Sequence, residues 1–376
     1  MKKMIYLDNA ATTPLDEGVL EAMLPFMREN FGNPQSQHAL GRQAANALTS
    51  ARDKTARILG CSPDEVYFVS GGTEAGNTAL KGVCANRKGG HLVLSAIEHP
   101  ALLESAKDLK EGFDITYVKP DESGIINPAD VANALREDTI FCAVMTANNE
   151  VGTIQPYEEI GEICRKKGVF YYADCVQSAG VLPFNSNFCT SLGISAHKFY
   201  GPRGVGAIYI KKGSKISRLI SGGRQERGLR GGTVDVAGAV GCATALERAV
   251  TSADENNKKT GLLRDTFIKR VLSEIEGTHL NGDRTRRVPA NANISFDGCD
   301  GENLLFLLDM KGICVSTGSA CSAGAVSPSH VLTAMGLEEN RVKSAVRFTF
   351  GKYNTIEEVD FTVNALKDAV NKIRKV

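Results

Sequence analysis

Between about residues 60 and 210, short apolar runs alternate with amphipathic segments, and this alternation limits the fold more than any other feature of the chain. Strands covered on both faces read as near-continuous apolar runs. When helical patterns separate them, the expected result is a βα repeat with a mostly parallel sheet and helices on both faces. The strand candidates are Val66–Val69, Leu92–Ala96, Ile115–Val118, Ile140–Thr146, Val169–Ala173 and Val205–Ile210. Helix punctuation falls between them. Asn127-Pro128 reads as a cap with proline at the first helical position, and the segment Tyr157 to Lys167 stops at Gly168 after three basic residues.

With 376 residues the chain is long enough for two packed units. A charged helix around 254–275 leads into an α+β pattern. Its strands are expected near Ala292–Phe296, Ile313–Ser316 and Ala345–Phe350, and its helices near Glu302–Leu308, Ser329–Met335 and Ile356–Lys375. The expected division is a large unit over 15–255 and a small α+β unit made of 1–14 and 256–376.

Lysine and arginine number 44 against 43 acidic residues, so no charge excess argues for binding nucleic acid or an anionic membrane. No apolar run is long enough for a membrane span. Met1-Lys2-Lys3-Met4 leads directly into strand-like Ile5-Tyr6-Leu7 without the apolar core of a signal peptide, so a cytoplasmic location is expected. The ten cysteines show no paired spacing, which reads as reduced thiols that serve mostly as small core residues.

In open parallel sheets, ligands bind beyond the carboxyl ends of the strands. Several chemically useful residues fall there. Ser70-Gly71-Gly72-Thr73-Glu74 follows a strand and opens a helix, so free N–H groups and the Thr73 hydroxyl could receive a phosphate, although neither a Walker loop nor a dinucleotide fingerprint is present. His99 follows the next strand and could stack on a flat ring or shuttle protons, and the Asn149 amide follows another. Asp174-x-x-Gln177 ends a fourth strand, and Ser195-Ala196-His197-Lys198 closes a further apolar stretch. A lysine that forms a Schiff base with pyridoxal phosphate (PLP) needs an acid such as Asp174, which keeps the pyridine nitrogen protonated. Taken singly, these motifs have ordinary explanations: a glycine turn, a backbone-bonded histidine, a solvated lysine. Their convergence on successive strand ends points to a PLP enzyme.

These residues resemble the PLP-dependent cysteine desulfurases of the NifS/IscS type, in the class V group of fold-type I transferases. The resemblance runs from Tyr6-Leu7-Asp8-Asn9-Ala10-Ala11-Thr12-Thr13 through Gly32-Asn33-Pro34, Ser70 to Glu74, Glu98-His99, Asn148-Asn149-Glu150-Val151-Gly152, Asp174-x-x-Gln177 and Ser195-x-His197-Lys198 to Ser319-Ala320-Cys321. It implies a mostly parallel seven-stranded sheet. By this resemblance Lys198 is the Schiff-base lysine and Asp174 the pyridinium partner. Gln177 and Asn149 contact the ring-hydroxyl side, His99 is the stacking acid/base, and Gly72, Thr73, Ser195 and His197 hold the phosphate. Thr233, in Arg230-Gly231-Gly232-Thr233, would bind the phosphate of a neighbouring subunit, which implies a homodimer. Arg347 would clamp the α-carboxylate of L-cysteine, with Asn149 nearby, while Cys321, in a run of small residues expected to form a mobile loop, would be the nucleophile that carries a persulfide. The wording around Cys321 resembles the first group of the family. An IscU/NifU-like scaffold or a tRNA-thiolation relay would accept the sulfur.

Two departures stand out: Tyr172, where relatives usually have histidine, and the short, weakly acidic stretch Leu182 to Cys189. Two rival readings stay open on sequence. One is another class V reaction, such as an aminotransferase or selenocysteine lyase, which needs no nucleophilic thiol. The other is a non-enzymatic subunit that keeps the fold for docking partners.

Overall fold

A computed structural model describes residues 4–109, 111–183, 185–318 and 328–375. In chain order its strands are β1 (Ile5–Tyr6), β2 (Val66–Val69), β3 (Gly90–Ser95), β4 (Phe113–Val118), β5 (Thr139–Ala143), β6 (Phe170–Asp174), β7 (Ser191–Ser195), β8 (Gly206–Ile210), β9 (Thr278–Asn281), β10 (Asn291–Phe296), β11 (Ile313–Cys314) and β12 (Ala345–Thr349). The helices are α1 (Glu17–Arg28), α2 (Ala39–Leu59), α3 (Gly72–Cys84), α4 (Pro100–Lys107), α5 (Pro128–Ala134), α6 (Tyr157–Lys167), α7 (Val236–Thr251), α8 (Ala253–Glu274), α9 (Gly301–Asp309), α10 (His330–Ala334), α11 (Glu339–Lys343) and α12 (Ile356–Arg374).

A seven-stranded sheet in the order β2-β8-β7-β6-β5-β3-β4 forms the centre. Neighbours from β4 to β7 pair in parallel, and β8 runs antiparallel to both β7 and β2. Side chains alternate between two cores, as the two-residue period of a strand requires. Val93, Cys142, Tyr171, Ala173 and Ala207 face one core, which α1, α2, α6 and α7 cover. Leu92, Leu94, Phe141, Tyr172 and Ile208 face the other, under α3 and α4. Burial on both faces is why these strands were legible as apolar runs. The expected cap at Asn127 is present, with its side chain accepting from the Ala129 N–H. Gly168 ends α6 in the left-handed conformation, at φ 68°.

A smaller antiparallel sheet, β12-β10-β9, packs against α8, α9 and α12 around its own apolar cluster, where Phe267 and Phe348 meet with ring centroids 4.7 Å apart. The chain start joins this region: β1 pairs in parallel with β11, and Leu7 lies in the same cluster. The strand expected over Ile313–Ser316 is thus only the short β11, with Ser316 forming an isolated bridge to Arg347. The strands β7 and β9 were absent from the sequence-based candidates.

Tyr172 fits beneath the sheet end because its neighbours lack side chains. A β-carbon at Gly193 would collide with the Tyr172 hydroxyl, and one at Gly76 would lie 3.6 Å from it. The ring is fully buried beside Phe141, at a centroid distance of 6.5 Å, and its hydroxyl has no hydrogen-bond partner among the described residues. In the shortened stretch after it, Phe188 packs on Tyr157 at 4.8 Å.

Candidate active site

Strand ends on the carboxyl side of the large sheet surround a cavity of about 750 Å³. Gly72, Thr73, His99, Asn149, Asp174, Gln177, Ser195, His197, Lys198 and Arg347 all line it. These are the residues that sequence reasoning singled out, with two exceptions. Thr233 is exposed and does not line the cavity of its own chain. Cys321 lies outside the described residues.

Lys198 ends a single 3-10 turn that follows β7 directly. Its Nζ donates to the carbonyls of Ala10 and Ala11, at 2.6 and 2.9 Å. The N-terminal segment is laced to this turn: both the Thr13 N–H and the Thr13 hydroxyl donate to the His197 carbonyl, and Tyr200 N–H donates to Thr13 Oγ1. The sequence pattern gave no geometric reason for the Asn9 to Thr13 motif. In the fold it forms the wall against which the lysine rests.

Asp174 is the last residue of β6, and its Oδ1 accepts the Val176 N–H at 2.9 Å. Burial pushes this carboxyl from an ordinary 3.8 up to about 6, against the opposing pull of that N–H and of the Lys198 charge. The surface Asp174 still shows is part of the cavity wall. Gln177 Nε2 donates to the Ala10 carbonyl at 3.0 Å, the acceptor it shares with Lys198.

His99 caps α4 with Nδ1 accepting the Ala101 N–H at 3.1 Å, which leaves the ring proton on Nε2. Burial, followed by the charges of Lys198 and His330, pulls its pKa down to about 4, so the ring is neutral at pH 7. Burial, Lys198 and Arg203 likewise hold His197 at about 4, and its Nδ1 lies 3.1 Å from Thr12 Oγ1.

The N-terminus of α3 shapes the phosphate end of the cavity. Gly71 has φ 148°, and a β-carbon at Gly72 would sit 2.6 Å from Val176 Cγ2, so the turn has room only for glycine against the cavity floor. At the other end Arg347, 4 % exposed, donates from Nη1 to the Asn149 carbonyl at 2.9 Å and from Nη2 to Asp8 at 2.8 Å. Its Nε is buried without a partner among the described residues, an unsatisfied donor at a cavity wall that suits an anionic group. An N-terminal helix turn for a phosphate, an acid for a pyridine nitrogen and a lysine, all lining one cavity, fit PLP.

Some residues that shape the site were given no role by the sequence reading, although Asp8 and Glu98 stand in motifs that carry the resemblance. Asp8 holds Arg347, and Met145 and Arg203 line the cavity. Glu98 is wholly buried, with Oε1 accepting from Ser95 Oγ at 2.5 Å and from Met145 N–H at 2.7 Å. Burial, helped by the Asp174 charge, pushes it up to about 8. No group of three or more His, Cys, Asp or Glu side chains among the described residues is placed to hold a metal ion, and no described helix is long and apolar enough to cross a membrane.

Against known proteins, the family described as Aminotransferase class-V matches residues 5–361. Cysteine desulfurase IscS of Dictyoglomus turgidum is 45% identical over 381 residues, covering 100% of this chain and 97% of that protein. Cysteine desulfurase IscS of Methanosarcina thermophila is 45% identical over 379 residues, covering 100% of this chain and 94% of its own. Among solved structures, a NifS-like protein superposes with a TM-score of 0.92 at 38% identity, covering 98% of this chain and 100% of that one. A structure of SspA in complex with cysteine superposes with a TM-score of 0.83 at 34% identity, covering 93% and 100%.

Proposed function

The chain belongs to the class V aminotransferase family, among its PLP-dependent cysteine desulfurases, and from that membership we propose which of its residues carry the reaction. The protein is a cysteine desulfurase: it binds PLP, takes L-cysteine as substrate and mobilises its sulfur. When bound, PLP supplies an electron sink for the pair left behind as a proton leaves the substrate α-carbon.

Lys198 holds the cofactor through its amine and then moves the α-proton. Asp174 keeps the proton on the pyridine nitrogen, a role supported by its place in the same cavity wall as Lys198. Gly72, Thr73, Ser195 and His197 hold the phosphate, and Asn149 and Gln177 bind the ring-hydroxyl side. His99 stacks on the ring and donates from Nε2. Arg347, with Asn149 beside it, takes the α-carboxylate of the substrate.

Cys321, as a thiolate, attacks the substrate sulfur. A sulfur–sulfur bond forms as the carbon–sulfur bond breaks, its electron pair stays on carbon, and a proton there completes L-alanine. L-cysteine plus the Cys321 thiol thus becomes L-alanine plus a Cys321 persulfide. We further propose a homodimer with Thr233 reaching the neighbouring site, which its exposure permits. An IscU/NifU-like scaffold or a tRNA-thiolation relay receives the sulfur. The units are 15–255 and 1–14 with 256–376, a division that fits the separate small-sheet core. We also propose a cytoplasmic location, which the free thiols of the described cysteines suit.

One observation carries this reading: ten residues proposed for one chemistry line one cavity. The test compares wild type, Lys198→Ala and Cys321→Ser by absorbance before and after L-cysteine, with alanine and sulfide assayed together. Cys321→Ser should keep the cofactor band and its response to cysteine but lose sulfide release, while Lys198→Ala loses both. Sulfide release by Cys321→Ser at the wild-type rate overturns the assignment of the nucleophile.

A further inference from the structure

We infer that Tyr200 is a positioning residue which, with Lys352 and Asp16, locks residues 8–16 between the Lys198 turn and β12 and so fixes Lys198 relative to Arg347. This rests on the proposed reading of Lys198 as the cofactor-holding amine and of Arg347 as the carboxylate clamp. Lys198 follows a strand of the large sheet and Arg347 lies on the small one, and residues 8–16 bridge them. Asp8 accepts from Arg347 Nη2 at 2.8 Å, and the carbonyls of Ala10 and Ala11 accept from Lys198 Nζ. Two positions past Arg347, the Thr349 carbonyl accepts from Asn9 Nδ2 at 2.8 Å and Thr349 Oγ1 from the Ala10 N–H at 2.9 Å. Ala10 and Lys198 line both the active-site cavity and a second one of about 210 Å³. With open space at both, hydrogen bonds more than packing hold this strap in place.

Tyr200 closes the arrangement two positions after Lys198. Its φ is 65°, a left-handed conformation that a bulky residue keeps only where its surroundings over-determine it. Here they do. Its N–H donates to Thr13 Oγ1 at 2.8 Å, and its carbonyl accepts the Asp16 N–H at 3.0 Å. Its hydroxyl accepts the Lys352 N–H at 2.8 Å, from the loop after β12. The Lys352 side chain folds back over the same ring, with Nζ 4.3 Å from the Tyr200 centroid and 5.0 Å from that of Tyr353, and donates to Asp16 Oδ2 at 2.5 Å. Asp16, 5 % exposed, also caps α1 and pairs with Arg248 of α7. A β-carbon at Gly351 would fall 2.4 Å from Asn9 Oδ1 and 2.8 Å from the Tyr200 hydroxyl, so the strap, the lysine turn and the loop after β12 meet with no room for one more atom.

Tyr200 does not line the active-site cavity, so its effect on the reaction passes through the strap. A substrate amino acid must present its α-carbon to Lys198 while its carboxylate sits on Arg347. Misplacing such groups by about 1 Å can cost on the order of 100-fold. An amine without a carboxylate makes no demand on Arg347. The lock should therefore matter to amines that carry a carboxylate and be indifferent to those that lack one.

The experiment titrates holoenzyme of wild type, Tyr200→Phe, Lys352→Met, Lys352→Arg and Arg347→Lys with L-alanine, the product, and with ethylamine, which lacks its carboxylate, and follows the cofactor absorbance. Hydrogen exchange of the Asn9, Ala10 and Thr13 amides is measured in each holoenzyme and in each cofactor-free protein. In Tyr200→Phe and Lys352→Met the affinity ratio of L-alanine to ethylamine should fall about fivefold, roughly the worth of one hydrogen bond. Exchange of the three amides should rise by a similar factor, with that of β5 and β6 unchanged. Lys352→Arg can still pair with Asp16 over the ring and should keep both readouts within about twofold of wild type. The inference is overturned if Tyr200→Phe leaves the ratio unchanged, weakens both amines equally, or leaves exchange of the strap as it was. A Lys352→Arg variant as impaired as Lys352→Met overturns it too. If Tyr200→Phe does not fold, a wild-type ratio in Lys352→Met does so instead. A wild-type ratio in Arg347→Lys removes the underlying reading of Arg347 and leaves the exchange result to stand by itself.

Discussion

Replacing Asp174 by asparagine should stabilise the cofactor-free protein and weaken its grip on PLP, two effects of one buried charge. Without PLP the carboxylate has the Val176 N–H and the Lys198 charge to offset its burial, and its pKa stands at about 6 rather than 3.8. That difference corresponds to ~3 kcal/mol of cost at neutral pH, as an upper bound. A carboxyl whose folded pKa is raised contributes stability that is fully present below 3.8 and is lost as pH rises through about 6. Asparagine has nearly the same shape and cannot ionise. The stability difference between variant and wild type should therefore open between pH 4 and 6 and level off near ~3 kcal/mol above pH 7. His99 and His197, both held near 4, lose stability in the opposite direction as pH falls from 6.5, and Glu98, near 8, acts in the same direction as Asp174. The two histidines are present in both proteins, whereas Glu98, which the Asp174 charge helps to raise, falls in the variant and adds its own smaller contribution to the difference near neutral pH. Urea unfolding of the apoproteins from pH 4 to 8 measures it. With PLP added the order should reverse, because only the carboxylate gains a charged partner. An apo variant no more stable than wild type at pH 7.5, or a difference that does not change with pH, refutes the argument.

Tyr172→Phe removes a buried hydroxyl that has no partner among the described residues and should stabilise the protein by up to ~1 kcal/mol in urea unfolding, with kcat unchanged. Arg347→Lys keeps the charge but loses the planar fork that reaches Asn149 and Asp8. KM for L-cysteine should rise by about 100-fold in steady-state kinetics with the cofactor band intact, and an unchanged KM takes Arg347 out of the carboxylate site. Gly72→Ala places a β-carbon 2.6 Å from Val176 and should lower PLP affinity by about tenfold in a cofactor titration.

The sequence was most legible where a strand is covered on both faces. Leu92 to Leu94 and Phe141 to Ala143 are apolar at every position because helices lie above and below them. β7 escaped notice because Ser-Leu-Gly-Ile-Ser contains only two apolar side chains. Its Gly193 is there to clear the Tyr172 ring, a requirement set by a neighbouring strand. β9, Thr-His-Leu-Asn, lies at a sheet edge and carries no apolar pattern. Short-range spacing also marked the phosphate turn, His99, Asp174 and Lys198, because each follows a strand or opens a helix within a few residues.

Asp8, Glu98 and Glu150 stand in motifs that carry the resemblance, but their contacts were not legible, since an acidic residue acquires its partners only from what distant chain places beside it. Asp8 meets Arg347 across 339 positions of sequence, and Glu150 meets Ser329 across 179. What the sequence alone determined is local: the period of the strands and helices, their caps, and the chemistry available at each strand end. Tertiary structure decided which ends converge on one cavity, which charges are buried, and hence that Asp174 rises while His99 and His197 fall. Desolvation and neighbouring charge exist only once the chain has closed around those groups.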